Sequence, residues 1–358
     1  MGLVKGTCYD GFPPPYDPST ANTTCIFFGS DAAYEAMRPL WGNSYMSSKG
    51  FGCTGGKCRD DVTTMRNMGV ELVRLYDWEP RNIHANFLNY TLANGMGVLA
   101  PVSNYFLGKG FDQRETLIPA LIRSFANADS NDYHQVIQGV IFGNELDGYT
   151  VDRCIQFTLD WARIEQEKFP SFRKVRLGHP FAFIPTDGEK FPCFGYWKKL
   201  VPGLKSVASR LFLAPQTYND RAYLFQNAEG SGRGWVDQAW DRFKSPILFT
   251  EIGQSRMGNP GVKEYVRQQL LGVQDYAAAH PDRLLGACHF QFLDKAWKQN
   301  TSEGSFGAFR HTNQTNIIIH YGPKDFTHWD VNCDNDSMNI ELLETTPIYD
   351  AVKSVYKP

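Results

Sequence analysis

The sequence predicts a (β/α)8 TIM barrel of the α/β class, and three observations carry that expectation. Short apolar runs alternate with helical stretches along the chain, the pattern of a parallel sheet with crossover helices. Eight such runs occur in succession, and eight consecutive strand–helix units close into a barrel rather than an open sheet. The chain has 358 residues, 42% of them hydrophobic and 21% charged. That suits one globular domain with room for insertions beyond the roughly 250 residues of such a barrel.

The elements follow in order. A first strand over residues 4–9 leads into a Pro/Gly/Ser-rich insertion over about 10–56, which holds Cys25 and Cys53. A helix over about 59–68 ends at Gly69, a residue suited to a helix C-terminus. Strands are expected over 72–76, 98–103, 136–142 and 175–178, with helices near 83–93, 115–126, 152–168 and 196–200 between or after them. The run over 136–142 is almost continuously apolar, as a strand buried on both faces should be. The remaining strands are expected over 211–215, 247–250 and 285–292, with helices over 235–243 and 262–279. A closing helix over 348–356 ends the pattern, inside a C-terminal extension of about 310–358. The expectation is thus a single domain over 1–358.

Composition excludes some classes of function. The formal net charge is −2, with acids and bases interspersed, and no basic stripe marks a nucleic-acid binder. No apolar run reaches the ~18 residues of a membrane span. Eight cysteines and five N-x-[ST] triplets, at Asn22, Asn89, Asn300, Asn313 and Asn335, point to a secreted glycoprotein with disulfide bonds. The first strand begins within a few residues of Met1, so a natural leader is expected to have been removed. Cys8 and Cys288 fall on neighbouring strands of a closed barrel, either as a disulfide or as buried free thiols. Cys53 and Cys58 are spaced to close a small loop. A monomer is expected.

In this fold the reactive groups stand at the C-terminal ends of the strands. The second strand ends in Arg74-Leu75-Tyr76-Asp77, the third in Ser103-Asn104-Tyr105 and the fourth in Gly143-Asn144-Glu145. The sixth ends in Gln216-Thr217-Tyr218-Asn219, the seventh in Thr250-Glu251 and the eighth in Leu293-Asp294. Glu145 and Glu251 therefore face each other across the rim. Retaining cleavage of a glycosidic bond needs such a pair, one carboxylic acid to protonate the leaving oxygen and one carboxylate, about 5–5.5 Å away, to attack the anomeric carbon. Glu145 is read as the acid/base, because the Asn144 amide beside it can bond the neighbouring sugar hydroxyl. Glu251 is then the nucleophile, held by Tyr218 and Arg74. Tyr76, Tyr218 and Trp297 are candidate platforms for sugar rings, whereas Trp78 and Tyr105 fit a platform or loop packing equally well. Lys298 and Glu303 are placed to hydrogen-bond hydroxyls. His134, His179 and His289 lack metal-ligand spacing and read as satisfied core or loop histidines. No metal or cofactor is expected.

These strings resemble glycoside hydrolase family 17, the β-1,3-glucanases, whose clan carries two catalytic glutamates on strands four and seven. Gly6-Thr7-Cys8-Tyr9 is similar to the family's GVCYG start, Val73 to Asp77 to MRLYD, and Gly143-Asn144-Glu145 to VGNE. Thr250 to Gly253 resembles SESG or TETG, Phe292 to Lys298 the fungal FDEPWK, and Glu303 to Phe309 the E-R-x-FGLF string. The resemblance runs from Gly6 to Phe309 and implies a laminarin-type β-glucan as substrate. It departs at Lys295, where the fungal string has glutamate, and at Gln254-Ser255, where the family has Trp-Pro. The family 72 glucanosyltransferases of the same clan are the second resemblance, and imply transfer to a sugar through the same intermediate. A non-catalytic carbohydrate-binding barrel is the third reading.

Overall fold

The computed structural model describes residues 3–9, 60–76, 78, 80, 84–147, 150–295, 298, 301–320, 327–328, 331–332 and 337–357. The insertion over 10–56, the Cys53–Cys58 loop and Trp297 lie outside these residues. Eight strands close into a parallel barrel in sequence order: β1 (Val4–Cys8), β2 (Leu72–Arg74), β3 (Gly97–Val102), β4 (Ile137–Phe142), β5 (Arg176–Ala182), β6 (Leu211–Thr217), β7 (Ile247–Ile252) and β8 (Leu284–His289). β8 pairs with β1 to complete the ring.

Local sequence explains the helices between them. In Val151–Lys168 the buried positions Val151, Cys154, Phe157, Thr158, Trp161, Ile164 and Glu165 recur every three or four residues, so one stripe faces the barrel. Asp61–Met68 starts where the Asp60 side chain accepts from the backbone N–H of Thr63 and stops at Gly69, whose φ of 93° suits a residue without a Cβ. The helices Trp235–Phe243 and Val262–Ala279 fall where the sequence pattern places them.

Two apolar layers result. The larger joins strands to helices, with Trp161, Trp197 and Trp235 fully buried. The smaller fills the lumen with Val4, Cys8, Leu72, Leu99, Ile141, Phe212, Leu248 and Cys288, drawn from seven of the eight strands. The other strand, β5, contributes space: a Cβ on Gly178 would lie 2.3 Å from the Phe212 ring, so only glycine lets that ring fill the centre. Cys8, Cys154, Cys193 and Cys288 are free, buried thiols, which decides the Cys8–Cys288 alternative against a disulfide.

The extension after the barrel is an antiparallel hairpin plus a helix. β9 (Phe309–His320) pairs with a later strand across the short pair β10 (Thr327–His328) and β11 (Val331–Asn332); that partner is β12 (Ser337–Thr345). The helix Pro347–Tyr356 then returns beneath β1. Its Tyr356 hydroxyl donates to the Gly6 carbonyl at 3.1 Å, and Lys5 Nζ donates to the Tyr356 carbonyl at 2.8 Å. Ile348, Val352 and Val355 are buried in the same seam, each contributing about 1.5–3 kcal/mol of apolar burial.

Candidate active site

The site lies at the C-terminal mouth of the barrel, in a cavity of about 300 Å³ lined by Tyr76, Asn144, Glu145, Tyr218, Glu251, Phe290, Lys295, Lys298, Ser302, Glu303 and Phe306. A larger depression of about 510 Å³ sits at the opposite, N-terminal rim around Arg66, Glu71 and Gln138, and neither glutamate borders it.

Glu251 reaches the lumen through an irregularity in the sheet. Leu248 points into the lumen and Phe249 toward the helices, so strict alternation would send Glu251 outward with Phe249. The β7 register shifts against both neighbours, between Leu213/Gln216 on β6 and between Phe249/Ile252 on the β8 side. Such shifts re-aim side chains beside active sites, and here the result is a carboxylate only 2% exposed. Arg74 Nη1 donates to Glu251 Oε1, the Tyr76 hydroxyl donates to the same oxygen at 2.8 Å, and the Tyr218 hydroxyl donates to Oε2 at 2.7 Å. Burial alone would raise the Glu251 carboxyl. The Arg74 guanidinium, the Tyr218 hydroxyl and the charge of Lys295 outweigh it and hold the group below its ordinary value.

Glu145 stands differently. It is solvent-exposed and follows β4 in a left-handed backbone conformation, φ 46°, unusual for a residue with a side chain. Partial desolvation where it lines the cavity raises its carboxyl, and the negative charges of Glu251 and Glu303 add to that against Lys295 and Arg74. One carboxyl is thus disposed to keep its proton and the other to lose it.

The turn that carries Glu145 is held from both sides. Asn104 Nδ2 donates to the Asn144 carbonyl at 3.0 Å while the Asn144 N–H donates to Asn104 Oδ1 at 2.8 Å. From β6, Gln216 Oε1 accepts the Glu145 N–H at 2.9 Å and its Nε2 donates to Asn144 Oδ1 at 2.8 Å. Arg74 Nη2 donates to the same Asn144 oxygen. Below Arg74 lies the Cys8 thiol, 3.7 Å from Nη1, which burial pushes up to about 11 and so keeps neutral.

Most residues singled out in the sequence meet here: Arg74, Tyr76, Asn144, Glu145, Tyr218, Glu251, Lys298 and Glu303. Lys298 and Glu303 are bonded to each other across the rim. Of the two readings open for Trp78, packing holds, because its indole is fully buried against His84 and Phe125 and its Nε1 donates to Ser124 Oγ at 2.9 Å. Tyr105 packs edge-on against Phe106 and does not border the cavity. His134 is satisfied, by Asn89 Oδ1 and the Val136 N–H, whereas His179 bonds Thr158 Oγ1 through Nε2 and its buried Nδ1 has no partner among the described residues. His289 is unsatisfied: fully buried on β8, neither ring nitrogen has a partner among the described residues, and burial pushes it down to about 3, so it stays neutral. Gln216, Asn104, Phe290 and Phe306 were not assigned from sequence. The polar pair sits at strand ends, where such residues are legible, but the two phenylalanines read as ordinary core. Among the described residues no group of three or more His, Cys, Asp or Glu is arranged to hold a metal ion.

The chain is therefore a (β/α)8 barrel protein with two carboxyl groups of opposite character in one cleft. Its fold is similar to that of Saccharomyces cerevisiae Gas2p. In the complex of that protein with laminaripentaose, the alignment covers 99% of this chain and 64% of the Gas2p chain, with 12% identity and a TM-score of 0.53. A second Gas2 structure, with a compound bound, aligns over 99% and 65% of the two chains at 13% identity and a TM-score of 0.55. This chain spans less than two thirds of those proteins, and at such identity the likeness is one of fold. No family model and no curated protein matches the sequence.

Proposed function

We propose that the protein is a retaining β-glycoside hydrolase acting on β-1,3-glucan. The observation that carries this reading is that Glu251, caged by Arg74, Tyr76 and Tyr218, and Glu145 line one cavity, with the Glu251 carboxyl lowered and the Glu145 carboxyl raised by their surroundings, since double displacement requires that division of labour. In the first step a Glu251 oxygen attacks the anomeric carbon, the bond to the leaving oxygen breaks, and the Glu145 proton passes to that oxygen. In the second step water attacks the same carbon, Glu145 takes the water's proton, and Glu251 leaves as carboxylate. Arg74, Tyr76 and Tyr218 aim Glu251 and steady its charge in both states. The Asn144 amide donates to the sugar hydroxyl next to the reacting carbon. Tyr76, Phe290 and Phe306 offer flat apolar faces to the sugar, and Lys298 with Glu303 binds hydroxyls at the rim.

The choice of glucan rests on the strings shared with family 17, and the fold likeness to a protein solved with laminaripentaose supports it. Transfer to a second sugar uses the same intermediate, and differs only in what attacks it. We take the whole chain as one catalytic unit, secreted and monomeric, with Asn89, exposed on its helix, as a candidate glycan acceptor. Incubation with laminarin, mixed-linkage glucan, mannan, xylan and galactan tests the reading. Cleavage confined to β-1,3-containing glucans is expected, and products longer than the substrate would reassign the enzyme to transfer. No cleavage of any β-1,3-linked glucan would overturn the substrate assignment.

A further inference from the structure

Gln216 is almost wholly buried, at 4% exposure, on β6. It sits directly beside Glu251 in the sheet register and bonds the turn that carries Glu145. The orientation of its amide is forced by its neighbours. The Glu145 N–H can only donate, so the Gln216 atom facing it is the oxygen, and the nitrogen then faces Asn144. The Arg74 guanidinium can likewise only donate, so the Asn144 atom that meets both Arg74 and Gln216 is the oxygen. With its oxygen held by two donors, Asn144 turns its NH2 group away from both. The left-handed backbone at Glu145, meanwhile, has its N–H fixed by the Gln216 oxygen.

We infer that Gln216 is a positioning residue for both steps, which sets the direction of the Asn144 amide and the placement of Glu145 through its two ends. Asn104 bonds the backbone of Asn144, and among the described residues it makes no hydrogen bond to the Asn144 side chain or to Glu145, so it does not duplicate this role. The inference rests on the hydrolase reading and adds a prediction peculiar to Gln216. A misplaced acid matters most when the leaving group needs a proton, and least when it is already a good leaving group.

The test compares Gln216→Met with wild type on a laminari-oligosaccharide and on a dinitrophenyl β-laminaribioside, whose leaving group needs no protonation. The expected result is a fall in kcat/KM roughly 10- to 100-fold greater on the oligosaccharide than on the aryl glycoside. Gln216→Glu keeps the acceptor for the Glu145 N–H and regains the donor to Asn144 when protonated. Its loss should therefore be smaller and should shrink as pH falls. Equal losses on both substrates in Gln216→Met would overturn the placement of Glu145, and a Gln216→Glu loss that does not shrink as pH falls would overturn the orienting of the Asn144 amide. A wild-type enzyme inactive on both substrates would instead overturn the hydrolase reading itself.

Discussion

The two glutamates are the same side chain in two surroundings. Glu251 is buried, receives three hydrogen bonds, and is neutralised by a guanidinium that is itself fully buried. Glu145 is exposed, its backbone N–H is held by Gln216, and its carboxyl is raised by partial desolvation and by the charges of Glu251 and Glu303. The difference teaches that the assignment of roles is written in the neighbours. A carboxylate that must attack is fixed and counter-charged, whereas a carboxyl that must give and take a proton is left open and raised.

The largest expected effects come from removing either side of that contrast. Glu251→Ala should lower kcat by about 10⁴-fold or more, since no other group can form the covalent intermediate. Glu145→Ala should cost about 10²–10⁴-fold on glucan, and added azide should restore turnover of an aryl glycoside by yielding a glycosyl azide. Near wild-type turnover in either variant would show that the substituted glutamate does not carry its proposed role.

Arg74→Met sharpens the contrast. Removing one partner of the buried pair leaves Glu251 uncompensated, and a loss of about 3–5 kcal/mol in urea unfolding at neutral pH is expected. Because the folded-state pKa of Glu251 is lowered, its contribution to stability is present above the unfolded value of about 4.3 and is lost as pH falls through the folded value. In Arg74→Met that acid-side loss should disappear, and the acid limb of the kcat/KM profile should move to higher pH. An unchanged acid limb would mean that Arg74 does not hold the nucleophile ionised.

Lys295 gives the smallest shift. Its Nζ lies 5.5 Å from the Tyr76 ring centre and 5.0 Å from that of Phe290. From there its charge lowers both glutamates. Lys295→Met should move both limbs of the pH profile upward, by up to about one unit, and Lys295→Arg should restore them. Movement of one limb alone would show that Lys295 acts on a single carboxyl.

Much of this was legible in the sequence because barrel strands announce themselves as apolar runs and barrel chemistry collects at their ends. That rule found Arg74, Tyr76, Asn144, Glu145, Tyr218 and Glu251 without any knowledge of their contacts. It did not find the register shift that turns Glu251 inward, since an irregularity in pairing belongs to three strands at once and leaves no mark in one. Trp78 stays undecided in the sequence for a related reason: two residues beyond Tyr76, it fits the mouth as well as the packing, and only the structure sends its ring among the helices, where Ser124 satisfies its N–H. Gln216 was visible as a strand-end residue. Its role depends on two partners more than sixty residues away in the chain, Asn144 and Glu145, and on the donor-only character of Arg74.

On the proposed mechanism Glu251 forms a covalent bond to the sugar during turnover. A 2-deoxy-2-fluoro laminaribioside with a dinitrophenyl leaving group slows breakdown of that intermediate, and mass spectrometry of a protease digest then locates the sugar. One glycosyl group is expected on the peptide containing Glu251, lost on addition of an acceptor. Label on Glu145, or steady turnover of glucan with inversion at the anomeric carbon and no label at all, would contradict it.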